Sequence, residues 1–276
     1  MEYEIKPQRK FDFGLKELWT YKELFYFFTW RDIKVKYKQT VLGFLWAILQ
    51  PFVTMVVFTF FFGRLLQVPS GNLPYPIFVL SGLLLWNIFS SGVVNAGNSM
   101  VTNSNIIKKI YFPRLIIPLS SILVSVFDFI MTLVVFLGVL IYYLATAQVQ
   151  INWFYIILLL PLCVILSCLA AFGLGSLLAA MNIKYRDFRY LIPFLVQTLL
   201  FITPVIYPIS IVKSGLIKWI LSINPMYAAI EIFRSGLTGT LPELQLILTS
   251  VTSSLVLLFL GVYFFRKTEY YFADLA

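Results

Sequence analysis

The stretch from Arg114 to Lys184 carries one charged side chain between its ends, Asp128. Water does not host such a run. A hydrocarbon core about 30 Å thick is crossed by about 20 apolar residues in a helix. Six apolar runs of this kind are read along the chain, at 42–63, 74–94, 117–144, 154–181, 191–207 and 244–265. The fourth is rich in small residues (Ala170, Ala171, Gly173, Gly175, Ser176, Ala179, Ala180), which suits close helix packing. The runs are continuously apolar rather than alternating, which argues against a barrel. Open sheet edges are excluded because lipid leaves them without partners. The expected fold is therefore an all-α polytopic membrane protein with six transmembrane helices.

Two segments break the pattern. Leu15 to Trp30 mixes Trp19, Phe25, Phe27 and Phe28 with Lys16, Glu17, Lys22 and Glu23, as in an amphipathic helix lying in the membrane interface. Arg31 to Lys38 then alternates with the period of a strand. A lone strand there would leave an edge unpaired, so a helix continuing into the first span is expected. The segment 209–240 is too polar to span and too apolar for a free loop. Asn224-Pro225 divides it into two short helices. A re-entrant helix pair between spans five and six fits this, as does a surface pair. Glu231 and Arg234 stand i,i+3 and can form an ion pair.

Composition agrees: 60% hydrophobic residues, 12% charged and 18% aromatic. Lys and Arg concentrate in the N-terminal segment 1–41, in the loop of Lys108, Lys109 and Arg114, in the loop of Lys184, Arg186 and Arg189, and in the tail 266–276. The opposite side has Arg64, Lys213, Lys218 and Arg234. The positive-inside bias puts both termini in the cytoplasm. A net charge of +9 follows from that bias and from anionic lipid, with no nucleic-acid partner. Cys163 and Cys168 read as buried thiols, and no histidine is present; a metal site is not expected. The N-terminus has no cleavable signal pattern.

Four phrases carry a resemblance: RDIKVKYKQTVLGFLWAILQP (31–51), NSNIIKKIYFPRLIIP (103–118), RDFRYLIPFLVQTLLFITPVIYP (186–208) and NPMYAAIEIFR (224–234). In order and spacing the chain resembles the permease subunits of ABC transporters that export lipid-linked polysaccharides such as O-antigen, teichoic acid and capsule. One departure is Lys36, where arginine is expected in much of the family. The resemblance implies a homodimer bound to two separate ABC ATPase subunits in the bacterial plasma (inner) membrane. It also implies a channel between the protomers for an undecaprenyl-linked glycan. ATP and magnesium would sit on the partner subunit, with no cofactor in this chain. No G-x-x-x-x-G-K-[ST] phosphate loop occurs in the sequence, so the chain is not expected to be an enzyme.

By the same resemblance Asn103, Ser104, Asn105, Ile106, Lys108, Lys109, Tyr111, Pro113 and Arg114 form the element that couples to the ATPase. Ser104 is expected to cap a helix over 105–111 that Pro113 ends; a basic anchoring loop fits the same residues. Arg31, Lys34, Lys36 and Lys38 can hold the lipid diphosphate headgroup, or simply anchor the chain to anionic lipid. Trp46, Phe52, Trp86, Phe89, Phe194, Phe201 and Tyr207 are expected to line the glycan channel, because sugar rings stack on aromatic faces. Asn224, Pro225, Glu231 and Arg234 mark the re-entrant element. Arg186-Asp187 either locks the second cytoplasmic loop or forms a solvated turn. Asp128 is either a polar contact near the conduit or an interhelical hydrogen bond.

Rival functions fit less well. A membrane-embedded glycosyl- or phosphotransferase needs clustered carboxylates with a metal, or a histidine base, and the chain has no D-x-D. A secondary transporter needs broken helices in both halves and intramembrane coupling charges. A related ABC exporter for a drug or another lipid would share the whole architecture.

Overall fold

The computed structural model describes residues 15–38, 43, 45–146, 151, 153–185 and 187–272. Every regular element among them is helical. Helices α1 (Leu15–Thr20) and α2 (Lys22–Lys38) precede the first span. The strand-like alternation of residues 31–38 is thus overridden, and α2 is one uninterrupted helix. Its junction with the first span, at 39–42 and 44, lies outside the described residues, as do residues 1–14.

The first span is α3 (Leu45–Phe58), continued by a π-helical stretch, Thr59–Leu65. α4 (Tyr75–Thr102) follows and passes well beyond 94. The short α5 (Ser104–Ile107) leads to α6 (Ile116–Ala145) and α7 (Trp153–Lys184). α8 (Phe188–Ile202) has 15 residues, about 22 Å at 1.5 Å per residue. It is apolar but shorter than the other spans, and its chain continues as non-helical backbone through Pro208. Among the described residues five helices (α3 with its extension, α4, α6, α7 and α11) are long and apolar enough to cross a membrane. α9 (Gly215–Ser222) and α10 (Met226–Thr238) meet at a bend of 105°. α11 (Leu244–Thr268) closes the bundle. The chain is a multi-pass membrane protein.

α4 is the central helix, buried against α6 and α7. Small residues allow the close approach of α7 to its neighbours. A Cβ on Gly175 would stand 2.8 Å from the Ala96 Cβ, and one on Gly173 would stand 2.6 Å from the Leu258 backbone nitrogen. A Cβ on Gly261 would overlap the Gly173 carbonyl. Hydrocarbon offers no hydrophobic drive between helices, so such backbone contact supplies the packing energy instead.

The bend between α9 and α10 has a local cause. Pro225 has no N–H and cannot continue the helix before it. The N–H that Pro225 lacks is lost to the carbonyls before it, and lipid cannot replace it. α11 supplies donors from one face: Ser253 to the Ile223 carbonyl at 2.6 Å, Ser250 to Asn224 at 2.8 Å, and Ser254 to Pro225 at 3.1 Å. Asn224 restarts the chain by accepting from the Met226 N–H at 2.9 Å while its amide donates to Thr203 at 2.6 Å.

Candidate functional site

Arg234 fixes the bent pair to the bundle. It is buried, and its guanidinium donates to the Pro204, Val205 and Phe78 carbonyls at 2.5, 2.8 and 3.1 Å, and to Ser81 at 3.3 Å. It lies 3.6 Å over the Phe78 ring and 3.6 Å from Glu231, the expected i,i+3 pair. Its planar fork thereby satisfies carbonyls freed where α8 ends and ties α10 to α4. The i,i+3 spacing pointed to Glu231; the contacts to α4 and to 204–205 have no local signature.

At the other end of α4 the first loop folds differently from expectation. α5 spans only Ser104–Ile107, with Asn103, not Ser104, at its N-cap and no side-chain cap bond. The Asn103 amide donates back to the Ser99 carbonyl at 2.8 Å and its oxygen accepts from Arg31 at 2.7 Å, so it is occupied elsewhere. Ile107, Phe112 and Pro113 are buried; Asn105, Lys108, Lys109, Ile110 and Tyr111 form an exposed knuckle. Ile106 and Ser104 are half-buried. Phe112 packs on Phe28 of α2, ring centroids 5.6 Å apart. The Arg114 N–H donates to Glu269 at 3.1 Å, its guanidinium donates to the Glu269 carbonyl, and its cation lies 6.0 Å from the Phe272 ring. Phe272 is buried against Phe265. The residues after 265 are therefore folded onto the loop, at least through Phe272. Arg186 lies outside the described residues.

The four cations at the C-terminal end of α2, Arg31, Lys34, Lys36 and Lys38, separate into two pairs. Arg31 is bound to Asp32 and Asn103. Lys36 reaches the Asp128 carboxylate at 2.5 Å, with Tyr37 donating to its second oxygen. Burial and then the Asp128 carboxylate push the Tyr37 phenol above its ordinary range. Neither Arg31 nor Lys36 is thus a free cation, because the loop and α6 each present an acceptor. Lys34 and Lys38 remain exposed, and with Phe27, Trp30, Arg31 and Val35 they line a shallow surface depression. Asp128 is an interhelical contact between α2 and α6.

Above this pair a cavity of about 470 Å³ opens between α3, α4, α6 and α8. Trp46, Gln50 and Pro51 line it from α3, Asn87, Ser90, Ser91 and Asn95 from α4, and Thr132 from α6. An amide without a partner in hydrocarbon costs roughly 2–7 kcal/mol, so this polar wall belongs to a wet space.

The aromatics expected in a channel divide similarly. Trp46, Phe52, Phe194 and Phe201 are exposed, Trp46 at 56%. Tyr207 is half-buried and its hydroxyl donates to the Ile202 carbonyl at 3.1 Å, closing the end of α8. Trp86 and Phe89, at 4% and 0% exposure, are corrected: they pack in the core of the bundle and face no conduit. At about 100° per residue they lie away from Asn87, and only the polar side of α4 reaches the cavity. Among the described residues no group of three His, Cys, Asp or Glu could hold a metal ion.

The chain is thus a multi-pass helical bundle with a sharply bent helix pair and an exposed basic knuckle in its first loop. The sequence profile of the ABC-2 type transporter family matches residues 23–238, and the chain belongs to that family. Among its relatives, the O-antigen export system permease protein RfbA of Klebsiella pneumoniae is 28% identical over 246 residues, 89% of this chain and 92% of that protein. RfbA of Myxococcus xanthus is 27% identical over 262 residues, 94% and 98% of the two chains. The polysialic acid transport protein KpsM of Escherichia coli is 26% identical over 243 residues, 87% and 91%.

Proposed function

We propose that this chain is the permease subunit of an ATP-driven polysaccharide exporter. Two copies enclose a passage, and two ABC ATPase subunits, carrying ATP and magnesium, dock on the loop that contains Lys108 and Lys109. Both termini face the cytoplasm. The cargo is a glycan on undecaprenyl diphosphate, moved outward across the plasma membrane. The observation that carries this reading is the near full-length similarity to O-antigen export permeases. The exposed knuckle of Lys108, Lys109, Ile110 and Tyr111 gives a partner both charge and apolar surface. Lys34 and Lys38, rather than all of Arg31, Lys34, Lys36 and Lys38, remain to meet the diphosphate, at about 1 kcal/mol each near an anionic surface.

The test is co-expression with a candidate ATPase and reconstitution of the complex in vesicles. A two-plus-two assembly whose hydrolysis rises with undecaprenyl-linked glycan is expected. Stimulation by a drug or by ordinary phospholipid alone, with none by the glycan lipid, would assign another cargo.

A further inference from the structure

Between Ile77 and Met100 every residue of α4 is buried except Asn87, Ser90, Ser91, Val94, Asn95 and Asn98. The one accessible face of the central helix is therefore almost wholly amide and hydroxyl. Part of this face is used internally. Ser91 donates to the Asn87 carbonyl at 2.5 Å, Asn98 donates to the Val94 carbonyl at 2.9 Å, and Asn98 accepts from Asn182 at 3.1 Å. The side-chain amides of Asn87 and Asn95 on α4 and Gln50 on α3 hydrogen-bond to nothing among the described residues. All three line the same cavity, with the exposed Trp46 one turn from Gln50. The charged side chains of the lining are Lys36 and Asp128, and these are bound to each other.

We propose that this wall is a binding surface for uncharged, hydroxyl-rich glycan. Each amide offers both donors and an acceptor, the complement of a sugar hydroxyl, which is also both. Asn87 and Asn95 are separated by about 12 Å along the helix, so separate sugar units are met in turn. The flat face of Trp46 takes the C–H side of a ring. With its two charges paired, the wall has, among the described residues, no free cation to hold a carboxylated sugar. The assignment deepens the export reading and rests on it: it names the chemistry of the cargo.

The experiment uses the assembled transporter carrying one new cysteine at position 87, 91 or 95, with Val93→Cys as the buried control. Cys163 and Cys168 are buried or half-buried in the bundle and set the background. A sulfonated, membrane-impermeant thiol reagent should label the three polar positions and not position 93. A linear neutral gluco-oligosaccharide should slow labelling severalfold, and a sialic acid oligomer at equal concentration should not. Asn87→Leu with Asn95→Leu, read through Ser91→Cys, should abolish that protection while the melting temperature holds. Absence of labelling at the polar positions would overturn the proposal, as would labelling that neither sugar slows or that both slow equally. The readout needs no ATP. Loss of glycan-stimulated hydrolysis would fail the export reading while leaving protection intact, and the two failures are distinguishable.

Discussion

Lys36 of α2 and Asp128 of α6 meet at 2.5 Å, with side-chain exposures of 41% and 15%. A charge inside a bundle is tolerated when it is paired, and removing one partner costs more than removing both. Asp128→Ala is expected to destabilise by more than the 1 kcal/mol or so of a surface pair and by less than the roughly 3–5 kcal/mol of a fully buried one. A double-mutant cycle with Lys36→Ala, read by thermal melts in detergent, should return a coupling between these limits.

Tyr37 makes the same junction sensitive to alkali. Its phenol is raised above the ordinary value of 10.0 by burial and by Asp128. The folded protein therefore holds that proton longer than the unfolded chain, and stability from this group is complete below pH 10 and declines above it. Tyr37→Phe should lower stability at neutral pH, by about 1.5–3 kcal/mol for a hydrogen bond to a charged group, and flatten the further loss above pH 10; melts against pH measure this.

Ser250 both donates to the Asn224 carbonyl and accepts from the Ala228 N–H at 2.9 Å. Ser250→Ala strands the Ala228 N–H, at about 1–3 kcal/mol for an unsatisfied buried group, and leaves the Asn224 carbonyl with the Tyr227 N–H as its remaining donor, at 3.1 Å. A lowered melting temperature with increased proteolysis near 223–226 is expected. Ser250→Thr should recover part of the loss.

Arg234→Lys keeps the charge and loses the fork that spans three carbonyls. A loss of roughly 3–5 kcal/mol, as for a broken buried ionic contact, should appear as a smaller folded fraction on size exclusion.

The loop offers a contrast. Lys108→Ala with Lys109→Ala removes exposed charge only, so the permease should melt within about 0.5 kcal/mol of the parent while losing salt-sensitive association with the ATPase. Phe112→Ala empties a buried site against Phe28 and should cost about 3–5 kcal/mol. Pull-down against ionic strength, alongside melts, separates the two effects.

Spans and the bend at Asn224-Pro225 were legible because hydrophobic run length and proline are local signals. The polar ladder of α4 was present at i, i+4 and i+8 (Asn87, Ser91, Asn95), yet the aromatics Trp86 and Phe89 drew attention to the opposite side of the same helix. Resemblance pointed to the second span; only packing against α6 and α7 selects which face is open. The partners of Arg31, Lys36 and Arg234 stand 72, 92 and up to 156 residues away, and no local pattern encodes such pairings. Ser250, Ser253 and Ser254 looked like ordinary small residues of a span until the bend they serve was in view.

α4 is held at both ends by arginines from elsewhere in the chain: Arg234 grips Phe78 and Ser81, and Arg31 grips Asn103. With 28 residues it is a stiff rod about 42 Å long. A wedge placed under the bent helices, such as an antibody fragment or a small inhibitor, would consequently be felt at the far tip. Whatever protein docks beside Asn103 would sense the obstruction without touching it.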